Sequence, residues 1–311
     1  MAVMGVALLA LGMLGLSGHP SGDFDFSKHS VPLDQIMSGG PGKDGIPAIL
    51  NPRFVTAAKA AFLKDEDRIL GIAREEEAKA YPIKILNWHE IVNDTLARKP
   101  ILVTYCPLCG TGIGFTPIVN GRPLKFGVSG LLYQSDLVMY DYQTESLWSQ
   151  ISMEAIAGPM TGAKLQHIFL EHTTWGEWRR MHPNTHVLST KTGYFRDYNR
   201  DPYLGYGQRA DLMFPTQNMD SQFHPKAWVV GLEVGGIAKA YPFAELQKGS
   251  GTVRDEVNGR SVIIRFNKRA QSASITDLAG QSIPSVMAYW FAWYAFHPDT
   301  LVFVAEKPDP D

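Results

Sequence analysis

The sequence predicts an α+β fold that is mostly β, built from two related halves with an insertion in the first half. Three observations carry this prediction. The pentapeptide Ala-Lys-Ala-Tyr-Pro stands at 78–82 and again at 238–242. Each copy closes two short runs of alternating apolar residues, the period-two pattern of a half-buried strand. Finally, the stretches 174–185 and 289–300 both read as a short helix ended by His-Pro (His182-Pro183, His297-Pro298) and followed by a strand. Proline cannot continue a helix and biases the residue before it away from helical geometry.

In chain order, the first eighteen residues carry no charge and hold Val-Ala-Leu-Leu-Ala-Leu-Gly-Met-Leu-Gly-Leu, then Ser17 and Gly18. That is the length and flank of a secretory apolar core. Residues 1–18 are therefore expected to be a signal peptide or N-terminal apolar segment. The protein is expected to be exported, periplasmic or extracellular, touching a membrane only through this segment if it is not cleaved. Residues 19–67 read as a loop-rich N-terminal arm, with a Gly- and Pro-rich run from Gly39 to Phe54. The first half spans 68–190 and the second 228–305. Gly235-Gly236 marks a hairpin turn in the second half. Alignment puts the tip of the matching first hairpin at Arg74-Glu75-Glu76, although that tripeptide looks helical in isolation. Ile101 to Tyr105 and Ser261 to Arg265 are matching strands. The insertion, 129–172, has no counterpart and reads as two strands, 137–142 and 146–151, joined by a polar turn. Between the halves, 191–227 is a Tyr-rich connecting loop, long enough to suggest a working role.

With 45% hydrophobic and 19% charged residues, the composition is that of a globular chain. A net charge of −2 gives no reason to expect nucleic acid as a partner.

Residues common to both halves are most simply scaffold, and residues in one alone are candidates for chemistry. His182 and His297 match, as do Trp178 and Trp293. Cys106 and Cys109, the only two cysteines, face Phe266 and Arg269 in the other half. A Cys-X-X-Cys pair suits a soft metal, thiol–disulfide cycling or a small structural bridge. For a metal, the two thiolates with an imidazole suit copper, zinc or iron. His89 is the preferred third ligand because the second half has no histidine there. His167, His172 and His224 are also unmatched, and Glu90 is placed to orient the His89 ring. Thiol exchange usually places the pair at a helix start. Three glycines in Gly110-Thr-Gly-Ile-Gly-Phe115 favour a loop or strand instead. A bridge closing so small a loop would stabilise little.

A hydrolase, lyase or binding-module reading uses other residues. Asp136, Asp141, Glu145, Ser129, Ser135 and Tyr133 cluster in the insertion, and Arg196, Asp197, Arg200 and Asp201 lie in the loop 192–207. Such groups suit acid–base work on a polar substrate. Tyr133, Asp136 and Trp148 could equally line a pocket facing the thiols.

The segments Ile85-Leu-Asn-Trp-His-Glu-Ile-Val-Asn93, Thr104-Tyr-Cys-Pro-Leu-Cys-Gly-Thr111, Phe126-Gly-Val-Ser-Gly-Leu-Leu-Tyr133 and Trp293-Tyr-Ala-Phe-His-Pro298 closely resemble a family of exported bacterial and archaeal proteins, domain of unknown function 3179. The resemblance runs from Ser38 to the end and implies no activity of its own. Locally, Cys106-Pro-Leu-Cys-Gly110 is similar to the metal-binding knuckle of rubredoxins and zinc ribbons. The chain lacks the second cysteine pair of those folds. The reading is an exported metal-binding or redox protein centred on Cys106 and Cys109, with His89 helping and an unknown small molecule or redox partner. Pocket candidates are Glu90, Tyr133, Asp136, Trp148, Arg196 and Asp197.

Overall fold

The computed structural model describes residues 23–305, so the N-terminal apolar segment lies outside the described residues. Strand accounts for 41% and helix for 11%. The longest helices among the described residues, Trp175–Met181 and Trp290–Phe296, run seven residues each. These are too short to make a helical layer, so the α+β expectation narrows to a mostly β chain. Five sheets of three to five strands are arranged as a five-bladed propeller, with one extra two-stranded hairpin. No helix among the described residues is long and apolar enough to cross a membrane.

The pentapeptide explains itself once it is placed on a strand. Arg68–Arg74 pairs antiparallel with Glu77–Pro82, turning at Glu75 (φ 57°), where the alignment puts the tip. Alternate side chains of a strand share a face. Lys79 and Tyr81 therefore point the same way, and both reach Asp94 of the neighbouring strand Ile91–Leu96. The ammonium stands 3.0 Å and the phenol 2.7 Å from one carboxylate oxygen. Ala78 and Ala80 take the other face, against Trp175 and Trp178. In the second half, Lys239 and Tyr241 reach Asp255 at 2.6 and 2.9 Å. The repeated motif thus ties each hairpin to the next sheet by a partly buried ion pair sharing its carboxylate with a tyrosine.

Other contacts also occur in both halves. Trp178 and Trp293 donate their indole N–H to Thr185 and Thr300 at 3.0 and 2.9 Å. His182 and His297 lie over those indoles, each with 4.1 Å between ring centres. His186–Leu188 and Leu301–Val302 add in parallel to Glu77–Pro82 and Ile237–Pro242. Each half then packs on the other: Glu171–Thr174 lies against Ser272–Thr276, and Val286–Tyr289 against Thr111–Thr116.

The insertion forms most of one sheet. Asp136–Asp141, Leu147–Ser149 and Glu154–Ala157 join Phe126–Tyr133 and, from the N-terminal arm, Ile36–Ser38. The first two are the strands expected at 137–142 and 146–151, the first shifted one residue toward the N-terminus and the second shortened at both ends.

Gly71 and Gly231 lie directly under the Trp178 and Trp293 rings, and a methyl group at either position would overlap the indole. Overpacking a rigid buried ring costs about 1–3 kcal/mol. Gly71→Ala is therefore expected to lower the urea midpoint by that equivalent. Gly249→Ala, with nothing within 4 Å, is expected to stay within about 0.5 kcal/mol of the parent.

Candidate metal centre

Both cysteines sit on a β-hairpin. Strand Lys99–Cys106 ends at the first sulfur and Thr111–Thr116 returns, with Cys106 opposite Thr111. The loop Pro107-Leu108-Cys109-Gly110 between them brings the second sulfur back beside the first. Gly110 has φ 66°, and a side chain there would strike Trp228, so glycine is required on both counts. No helix begins at the pair, in keeping with the glycine run. The Gln150 amide braces both strands: its oxygen accepts from Thr111 Oγ1 (2.7 Å) and its nitrogen donates to Thr104 Oγ1 (2.8 Å). The Cys109 carbonyl accepts the Tyr289 N–H at 2.8 Å, which sews the loop to the second half.

The third group comes from the insertion. Asp136 opens strand Asp136–Asp141, opposite Tyr133 across the two-residue turn Gln134-Ser135. Both turn residues lie in the left-handed region, at φ 53° and 65°. Neither is the Gly or Asn such a turn favours, so the backbone carries strain of about 1 kcal/mol per residue at this point. Contacts hold the turn in place. Cys109 Sγ donates to the Ser135 carbonyl (3.4 Å), Ser135 Oγ to the Phe214 carbonyl (3.2 Å), and the Gln217 N–H to Gln134 Oε1 (2.7 Å). The last two bring the connecting loop across the site.

The Cys106 and Cys109 sulfurs and an Asp136 oxygen all lie within 4.8 Å of one another, and all three residues are buried. This group could hold a metal ion. Asp136 Oδ2 accepts the Ile151 N–H at 3.0 Å, whereas Oδ1 is buried without a hydrogen-bond partner. A native structure rarely leaves a buried carboxylate oxygen unpaired without a ligand role or similar cause. Tyr206 OH is likewise buried and unpartnered, and its ring lies in the same core cluster as the two cysteines.

Desolvation governs the electrostatics. Burial lifts the Asp136 carboxyl to about 7. It lifts Glu90 to about 8, with the negative charge of Asp136 adding to the effect. Burial also pushes the Cys106 thiol up and the Cys109 thiol well above its ordinary value. A divalent cation would reverse the balance, because its charge replaces the protons on its ligands.

The other expected site residues lie as follows. His89 is fully buried, with Nδ1 2.7 Å from the Pro47 carbonyl and Nε2 2.7 Å from Tyr198 OH. A carbonyl only accepts, so Nδ1 carries the proton and Nε2 accepts from the phenol. Both ring nitrogens are thereby engaged, and the oxygen of Asp136 stands where an imidazole was expected. Glu90, next along the chain, is buried at φ 57°, and it does not orient the His89 ring, whose two nitrogens are taken by Pro47 and Tyr198. Trp148 donates to Asp141 (2.9 Å) and packs edge-on against Phe126. Tyr133 packs edge-on against Phe296. Arg196 and Asp197 line a separate surface groove. The sequence had singled out Ser135 within the insertion cluster, but not Gln150, Tyr203 or Tyr206. The two tyrosines fall in the connecting loop, whose tyrosine content was the one signal for them.

A family model described as protein of unknown function (DUF3179) matches residues 43–300. No curated protein and no solved structure matches the chain.

The carboxyls give a pH test. Asp136 and Glu90 have folded-state pKa values near 7 and 8, above their ordinary 3.8 and 4.5, so the folded chain binds more protons than the unfolded one between these limits. Their contribution to stability is present in full at about pH 4 and lost as the pH rises through about 8. Asp136→Asn removes one such group. In metal-free protein, chemical denaturation is expected to show the variant gaining stability relative to the parent between about pH 5 and pH 9.

Proposed function

Because this chain belongs to the DUF3179 family, matched over residues 43–300, whose description assigns no activity, we propose from its own residues that it is an exported metalloprotein. Its centre is a single divalent cation held by Cys106, Cys109 and Asp136. The observation that carries this reading is the buried, unpartnered Asp136 Oδ1 beside two free thiols. Two sulfurs and one hard oxygen suit zinc or iron(II) better than copper(I), which prefers soft donors throughout. Three protein ligands with a fourth position left over is the pattern of reactive rather than purely structural zinc sites. Such a cation would act as a Lewis acid and lower the pKa of a bound water. Glu90, buried and raised to about 8, is the neighbouring group able to take or give a proton near neutral pH. The knuckle-like Cys-Pro-Leu-Cys-Gly loop with Gly110 at φ 66° supports the same reading.

Thiol exchange fits less well. It needs a thiolate, and burial raises both thiols. The contacts shared by Lys79–Asp94 and Lys239–Asp255, Trp178–Thr185 and Trp293–Thr300 support descent of the two halves from a duplication, after which one half gained the ligands. The apolar segment 1–18 supports export.

Elemental analysis of untagged protein tests the centre. About one zinc or iron per chain is expected, lost in Cys106→Ser and Asp136→Asn while both variants keep the parent circular dichroism spectrum. Stoichiometric metal that survives both substitutions, or parent protein without metal after zinc or iron(II) is added, sinks the proposal.

A further inference from the structure

The segment that carries Glu90 into the centre has a second face. Just before Glu90, Trp88 looks outward into a groove of roughly 500 Å³, large enough for a small organic molecule. Arg196, Asp197, Arg200, Phe195 and Tyr203 of the connecting loop complete its wall. The loop is fixed there: the Trp88 indole N–H donates to the Arg200 carbonyl (3.1 Å), and the Asn87 amide to Asp201 (3.0 Å).

The groove is lined by two arginines, Arg196 and Arg200. Among the described residues, the arginines in salt bridges are Arg179, Arg180 and Arg209. Arg196 donates to its neighbour's carbonyl and lies over the Trp88 ring, 5.9 Å from the ring centre. The one carboxylate in the wall, Asp197, accepts the Asn199 N–H (3.0 Å). Arg196 and Arg200, four residues apart, both line the groove, and the second carboxylate nearby, Asp201, is already engaged by the Asn87 amide and the Tyr203 N–H. Phe195 beside them is wholly exposed, so its ring face is open to a flat partner. Tyr203 connects this groove to the centre. It lines the groove and packs against the core cluster that contains Cys106 and Cys109, with Asp201 accepting its N–H at 2.9 Å.

We propose that this groove is the substrate-binding vestibule of the Cys106–Cys109–Asp136 centre. It takes an anionic organic molecule bearing a flat apolar group: the carboxylate or phosphate on Arg196 and Arg200, the flat group on the aromatic wall. Arginine forks suit planar or tetrahedral anions, and aromatic faces suit flat partners. The assignment of a vestibule rests on the metal-centre reading; the binding of the anion does not.

Calorimetric titration of the full chain with phenyl phosphate, and separately with inorganic phosphate, tests the groove. Saturable binding of phenyl phosphate is expected, weaker by about tenfold or more in the Arg196→Gln/Arg200→Gln double variant, which keeps its metal content. No saturable binding, or equal affinity in the double variant, overturns the proposal. Inorganic phosphate binding as tightly as phenyl phosphate overturns the flat-group requirement. Coupling to the centre is read from cobalt(II)-substituted protein, whose visible absorption bands are expected to shift when phenyl phosphate saturates the groove. Unmoved bands reject the vestibule. If the parent takes up no metal, the metal reading fails by itself, and the phosphate titrations still decide the groove.

Discussion

Removing three acidic groups from water at one point is the constraint on which the rest of this structure turns. Cys106, Cys109 and Asp136 are each at most 2% exposed, with a fourth acid, Glu90, close by. None of them has a cationic side chain within its own cluster. Burial therefore holds all of them toward the neutral form. Such a group of acids is costly to ionise alone and inexpensive to ionise around a cation, which is the electrostatic character of a metal-binding site.

The surrounding architecture keeps those groups together. The thiol hairpin alone would bring two sulfurs into range. It becomes a three-donor cluster because the sheet built from the insertion lays the Gln134-Ser135 turn beside it, and because Gln150, Phe214, Gln217 and Tyr289 fix that arrangement from three other segments. The strain at Gln134 and Ser135 is tolerated since these contacts over-determine the turn. The two halves form a rigid frame through tryptophans lying on glycines and through lysine–aspartate pairs carried on strands. The reactive groups sit where the frame, the insertion and the connecting loop meet.

The strands were legible because period-two alternation is a local property. Comparison of the halves recovered even the turn at Glu75, whose own residues suggest a helix. The same comparison pointed to Cys106 and Cys109. It also favoured His89, which is absent from the second half for a different reason: it bonds to Pro47 and Tyr198 and anchors the arm and the connecting loop, two segments with no counterpart. A residue present in one half alone can serve an added loop as well as chemistry. Asp136 was legible as one acid among several in the insertion and as a residue lining a pocket that faces the thiols, but not as the third donor. Nothing in its local sequence separates it from Asp141, which bonds to Trp148 and to the backbone of its own turn.

The sequence alone determined that this chain is mostly β, that Ala-Lys-Ala-Tyr-Pro at 78–82 and 238–242 lies on a strand in each place, and that its two cysteines share the turn Cys106-Pro-Leu-Cys-Gly110. These follow from residue spacing along the chain, where alternation, turn residues and a thiol pair two residues apart act over a few ångströms. Tertiary structure decided which donor joins the sulfurs, how far water is excluded, and which loop lies over them. Those outcomes depend on contacts between residues dozens of positions apart, such as Cys109 with Ser135 and Ser135 with Phe214. Desolvation is a property of the assembled packing and has no local signature in the chain.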